Sequence, residues 1–193
     1  MKKIRGITLI EILITILILS ILAGVAGPSF MRSFETRKLV SATEELYSNI
    51  QLARSEALTR STPIYIRTTG MGGRAWRYGV SQQIDCDPNI SDNSSDSACI
   101  LVIDDGDSEY VKGNDNVLHT VNGSDYEDIK LQLRHATSLT NLQLTFSSMN
   151  GTQNRGTIFV LTNSFGDTTI ITLSILGTAK VCSNDIVDYR ACT

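Results

Sequence analysis

One carboxylate, Glu11, stands inside an otherwise apolar stretch that runs from Ile7 to Ala26, behind Lys2, Lys3 and Arg5. A charge in hydrocarbon is expensive unless something neutralises it. The chemistry open to Glu11 is therefore ion pairing, and the partner has to be found. A cut between Gly6 and Ile7 creates an α-ammonium at Ile7 and makes Glu11 the fifth residue of the shortened chain. In a helical assembly of such segments, Glu11 of one subunit can neutralise the terminal ammonium of its neighbour. A cleavable secretory signal would instead use Gly24-Val25-Ala26 as its small-residue site, and would leave Glu11 inside its apolar region. A plain membrane anchor leaves the charge without a partner.

The other residues that could do chemistry are few. Cys86, Cys99, Cys182 and Cys192 form two local pairs with 12 and 9 residues between them. An even count behind an export-like start points to two disulfide loops in an oxidising compartment, the periplasm or the cell surface. Zinc is the rival, yet neither pair has CxxC spacing, and His119 and His135 lie far off in sequence. Two His and many Ser could supply a base and a nucleophile, but no Ser has a GxSxG setting. Gly70-Met71-Gly72-Gly73 lacks the lysine of a phosphate loop. No catalytic residue, cofactor or metal is expected. Asp104-Asp105-Gly106-Asp107-Ser108-Glu109 offers clustered oxygens to Ca²⁺, but Tyr110 replaces the glycine and Asn116 the glutamate of an EF-hand, so a solvated acidic turn is expected.

Arg67, Arg74, Arg77 and Arg155, with Trp76 and Tyr78 as stacking rings, are the residues from which a nucleic-acid patch could be built. The alternative is strand-face charges around a buried Trp76. Charge limits any such patch to surfaces outside residues 85–128, where 12 acidic residues face one base, Lys112. That stretch repels phosphate backbones and anionic lipid.

Positioning these groups requires one long helix and a sheet. The span from Ile7 to Ala26 is 20 residues, about the length that crosses a bilayer, and the bases ahead of it predict a cytoplasmic start. Pro28 cannot donate to the carbonyl of Gly24, but apolar residues resume at Phe30 and Phe34, so a kinked or locally meltable helix that continues is expected. Leu39, Leu46, Ile50, Ala53 and Ala57 then form one apolar stripe, which Ser61-Thr62-Pro63 ends. Beyond it, strands are expected at 64–68, 75–81, 100–104, 129–133, 142–146, 157–162 and 168–175. Turns are expected at 70–73, 105–106, 122–123, 150–151 and 165–167. One long helix followed by six or seven antiparallel strands is an α+β layout.

The string Lys2-Lys3-Ile4-Arg5-Gly6 followed by Ile7-Thr8-Leu9-Ile10-Glu11 resembles the class III signal of type IV prepilins. Trp76 with Gly79, the Arg54-Ser55-Glu56-Ala57 helix end, and Phe146 before Asn150-Gly151 are similar to the FimT/FimU/GspH group of minor pilins and pseudopilins. The resemblance implies a leader at 1–6, an assembly helix at 7–33, an amphipathic continuation at 34–62 and a β-rich head at 63–193. It implies cleavage after Gly6 and methylation of Ile7 by a prepilin peptidase/N-methyltransferase. It further implies residence in the inner membrane, contact with other minor and major pilins through the N-terminal helix, and loosening of that helix at Pro28 in a filament. The job it implies is incorporation into a type IV pilus, with a type II secretion pseudopilus or DNA uptake in natural transformation as alternatives. Some FimT-like members bind DNA through a Gly-Arg-x-Arg motif; the corresponding Gly177-Thr178-Ala179-Lys180 lacks both arginines, which leaves Lys180 as the base there.

Overall fold

The computed structural model describes residues 8–103, 106, 109–134 and 141–192, with backbone alone at 25–28. One helix, α1 (Leu9–Arg60), occupies 52 residues without interruption, passing through Gly24, Gly27 and Pro28. Thr8 caps it, its Oγ1 accepting the Glu11 N–H at 3.3 Å, one of the donors that a helix start leaves unpaired. Glu11 in the first turn faces the positive end of the helix dipole. Ser61 ends the helix with φ 52°, a left-handed cap, and Pro63 forbids continuation.

Among the described residues ten strands follow: β1 (Ile64–Thr69), β2 (Arg77–Ser81), β3 (Ile100–Val102), β4 (Asn116–Leu118), β5 (Thr120–Asn122), β6 (Lys130–Leu133), β7 (Leu142–Phe146), β8 (Thr157–Thr162), β9 (Thr168–Leu173) and β10 (Ala179–Cys182). They form one sheet in the order β5-β2-β1-β7, a second in the order β10-β9-β8-β6, and a β3-β4 ribbon. Every pairing between these strands is antiparallel. The α+β class is as expected, and the described residues hold ten strands where six to seven were expected. The additional ones, β4, β5 and β10, have three or four residues each, too few to display a period of two. The first strand of the Trp76 region begins at Arg77 rather than at residue 75. The Phe165-Gly166-Asp167 turn lies between β8 and β9 as read, and β9 stops at Leu173 because Ser174 to Gly177 turn back, with Gly177 at φ 75°.

The stripe read from spacing is the seam of the molecule. Leu39, Leu46, Ile50, Ala53 and Ala57 are all buried, together with Ile64, Ile66, Val80, Leu144, Phe146, Phe159, Leu161 and Ile171 from the two larger sheets. The alanines let α1 lie close to the strands, and Thr43 bonds Thr169 of β9 at 2.6 Å beneath it. Gly79 has a specific reason to lack a side chain: a Cβ there would stand 2.4 Å from the Cβ of Cys99. The outer face of β2 is therefore flat at one point, and the Cys86–Cys99 bridge rests on it.

Candidate functional site

Two stretches of α1 behave differently. From Leu9 to Leu22 the large apolar side chains are exposed, followed by Phe30, Met31 and Phe34. The helix is long and apolar enough to cross a membrane, with a window of mean hydropathy 2.7, none of it buried. Glu11 sits on this exposed stretch, and among the described residues no cation pairs with it. The backbone is helical at Pro28. Gly6 and Ile7 lie outside the described residues.

The exposed stretch meets the head at a polar junction that sequence reasoning did not anticipate beyond its turn. Asp167, in the β8–β9 turn, receives Arg32 at 3.1 Å and the Asn163 amide at 2.9 Å. Asn163 Oδ1 in turn accepts the Phe165 and Asp167 N–H groups. Glu35, buried beside it, pairs with Lys38 at 3.0 Å and accepts the Ser164 hydroxyl at 3.3 Å. The signal available in the sequence was the Asn163-x-x-x-Asp167 spacing across Gly166, a side-chain-closed turn.

At the other end of α1, Arg60 pairs with Glu56 and donates to the Val102 carbonyl of β3. His119, between β4 and β5, is half-buried there, and burial holds its imidazole below the usual pKa of 6.5 against the opposing pull of Glu56. His135 and the acidic residues Asp104, Asp105 and Asp107 lie outside the described residues.

The four cysteines are paired as Cys86–Cys99 and Cys182–Cys192, with Cα–Cα distances of 4.9 Å and 5.0 Å. The first is wholly buried against Gly79. The second ties the end of β10 to the C-terminal segment.

The residues considered for nucleic-acid contact are not brought together as a stacking site. Trp76 is 1 % exposed, and its indole N–H donates to the Ile129 carbonyl at 2.9 Å. Its ring stacks between Tyr78 and Tyr126, each centroid 6.1 Å away. Tyr78 is equally buried and its hydroxyl accepts the Asn49 amide at 3.1 Å. A buried ring cannot receive a base, so the stacking role for Trp76 and Tyr78 is corrected to a core role. Tyr126, the third ring, went unremarked in the sequence; burial and then the Glu45 carboxylate push its phenol up to about 12. Gly123 backs the indole, since a Cβ would come within 2.9 Å of it. Arg74 pairs with Asp128 at 3.0 Å and Arg67 with Asp85 at 3.1 Å. Arg77 lies on β2, Arg155 in the exposed connection after β7, and Lys180 on β10 of the other sheet.

Over residues 42–178 the sequence matches the family described as type II transport protein GspH, and over residues 1–27 it matches the prokaryotic N-terminal methylation motif. No curated protein matches it. Two crystal structures of the Pseudomonas aeruginosa type IV minor pilin FimU are similar. One is 18% identical with a TM-score of 0.48, covering 76% of this chain and 90% of that one. The other is 19% identical with a TM-score of 0.44, covering 74% and 91%. The methylation motif implies processing by a prepilin peptidase and assembly with pilin-class subunits, and with the exposed apolar helix it implies anchoring to a membrane by a single span. A buried seam on one half of a helix, an exposed apolar half carrying the methylation motif, and a family match across most of the head lead to one conclusion: this chain belongs to the GspH family and is a minor pilin or pseudopilin.

Proposed function

We propose that the chain is cut between Gly6 and Ile7, methylated at Ile7 by a prepilin peptidase/N-methyltransferase, and built into a type IV pilus as a subunit that initiates or caps it. Until assembly, residues 7–33 hold it in the inner membrane, with Lys2, Lys3 and Arg5 on the cytoplasmic side and the head at 63–193 in the periplasm. In the filament the helix packs against those of other minor and major pilins. Glu11 then sets the register by neutralising the terminal ammonium of a neighbour, and the helix loosens at Pro28 to fit.

The observation that carries this is Glu11 itself: an exposed carboxylate in an apolar helix with no cation beside it among the described residues. Such a charge calls for a partner supplied by another molecule. Two disulfides suit a head exposed beyond the cell, which favours a pilus. The family match over residues 42–178 supports a second reading, a minor pseudopilin of type II secretion. DNA uptake is the least supported, because Trp76 and Tyr78 are core residues and Arg67 and Arg74 are each paired.

A Glu11→Ala chain, expressed in place of the native one, is expected to be processed and membrane-bound but absent from sheared filaments on immunoblots. Incorporation at the native level would overturn the role given to Glu11.

A further inference from the structure

The two larger sheets have edges that are treated differently. On β6, the outward groups of Leu131 are taken by the 70–73 turn: Gly72 donates to its carbonyl at 2.8 Å and its N–H donates to Gly73 at 3.3 Å. On β7, Asn154 closes the edge, its N–H donating to the Thr145 carbonyl and its Oδ1 accepting the Thr145 N–H, both at 3.2 Å. β10 has no such cover. Ser174 donates to Thr178 across the β9–β10 turn, so Thr172–Lys180 and Ile170–Cys182 are the hydrogen-bonded pairs. The N–H and C=O groups of Ala179 and Val181 consequently point away from β9, and no described residue bonds to them.

A cleft of about 680 Å³ runs along this edge. Tyr47 of α1, Lys180, Arg190 and Ala191 are among the residues that line it; just past the strand the Arg190 carbonyl accepts the Ser183 N–H at 2.9 Å, and the Cys182–Cys192 bridge ties that segment there. Neither Lys180 nor Arg190 forms an ion pair among the described residues. An open row of backbone donors and acceptors, flanked by two uncompensated cations, defines what fits. We infer that the β10 edge receives an extended, acidic peptide segment of a neighbouring subunit, which adds to the second sheet as a fifth strand.

The register makes this specific. An added strand hydrogen-bonds to Ala179 and Val181, the pattern by which extended peptides join open sheet edges. Lys180 then stands in the closer, non-hydrogen-bonded type of pair with the residue opposite it, where a glutamate meets its ammonium directly. A second carboxylate is the complement of Arg190, which lines the same cleft. The backbone groups favour a peptide over a nucleic acid, which would leave the Ala179 and Val181 N–H and C=O groups without ladder partners. The inference rests on the assembly reading only for the source of the segment. Peptide capture by the isolated chain is independent of Glu11-driven incorporation, so the two can fail separately.

The test uses the full chain in detergent micelles and a synthetic strand, Thr-Val-Glu-Val-Glu-Val-Thr, with Thr-Val-Lys-Val-Lys-Val-Thr as control. Amide hydrogen exchange is read at Ala179 and Val181. The glutamate peptide is expected to slow exchange at both amides at least tenfold, and to bind at least tenfold more tightly than the lysine peptide. A Lys180→Glu/Arg190→Glu chain, altered only at exposed positions, is expected to reverse that preference while its own unfolding midpoint stays put. Unchanged exchange at both amides, or binding indifferent to peptide charge, would overturn the inference. Capture of a 12-nucleotide single-stranded DNA that depends on Lys180 and Arg190, without peptide capture, would also overturn it and make the cleft a nucleic-acid groove. Protection of the same amides by self-association alone would overturn it in favour of a second copy of this chain.

Discussion

Leu17 and Leu46 lie on the same continuous helix in the same backbone conformation, yet the first is 55 % exposed and the second 1 % exposed. The membrane-facing stretch is apolar all round because its partner is lipid or other subunits. The head-facing stretch is apolar along one stripe because its partner is two sheets of its own chain. One element therefore serves two environments, and its residues answer to different tests.

The largest expected contrast comes from truncating each leucine. Leu46→Ala empties part of the seam beneath β1 and β9 and should lower the stability of the head by about 2–5 kcal/mol. Leu17→Ala removes no internal contact and should change it by less than about 0.5 kcal/mol. Chemical denaturation of the full chain in micelles, followed by Trp76 fluorescence, measures both. Equal effects would break the division between the two halves.

A smaller effect is expected at the boundary. Arg32→Gln removes the cation from buried Asp167 while leaving Asn163 in place. Because Arg32 itself is largely exposed, the loss should be about 1 kcal/mol or less. The same denaturation experiment at low and high salt should show the wild-type advantage shrinking as salt rises. A loss comparable with that of Leu46→Ala would move the boundary of the packed half further toward the membrane.

The smallest effect belongs to the far end of α1. Burial depresses the His119 pKa in the folded head, so the folded state favours the neutral imidazole. The resulting stability is fully present above the unfolded value near 6.5 and is lost as pH falls through the folded value. His119→Gln should flatten the loss of stability that begins as pH falls below the unfolded value near 6.5, with little change at pH 8. An unaltered acid limb would show that His119 is more solvated than its place beside Glu56 and Arg60 indicates.

The legible parts of this molecule were those that repeat. Leu39, Leu46, Ile50, Ala53 and Ala57 fall at helical spacing, and all five are buried. Ile129-Lys130-Leu131-Gln132-Leu133 alternates, and its Leu131 is buried while Lys130 and Gln132 are exposed. The illegible parts were those whose identity depends on a distant neighbour. β10 has four residues and becomes a strand because β9 pairs with it. β5 has three and is defined by its pairing with β2. Arg74 and Trp76 read together as a basic and aromatic patch, but sequence adjacency does not tell which face a side chain takes. The ring turned inward against Tyr78, Tyr126 and the Ile129 carbonyl, and the arginine outward to Asp128.

The sequence by itself determined the long helix, its division into an all-round apolar half and a striped half, the singular position of Glu11 and the two local cysteine pairs. Each is a statement about periodicity, composition or short spacing, which local chemistry controls. Only the tertiary structure decided that Trp76 is core, that Gly79 must be bare to seat the Cys86–Cys99 bridge, that Asp167 reaches Arg32, and that the β10 edge is left open. Those facts depend on which strands pair and which faces turn inward, and residues 135 positions apart meet only once the chain has buried its apolar surface.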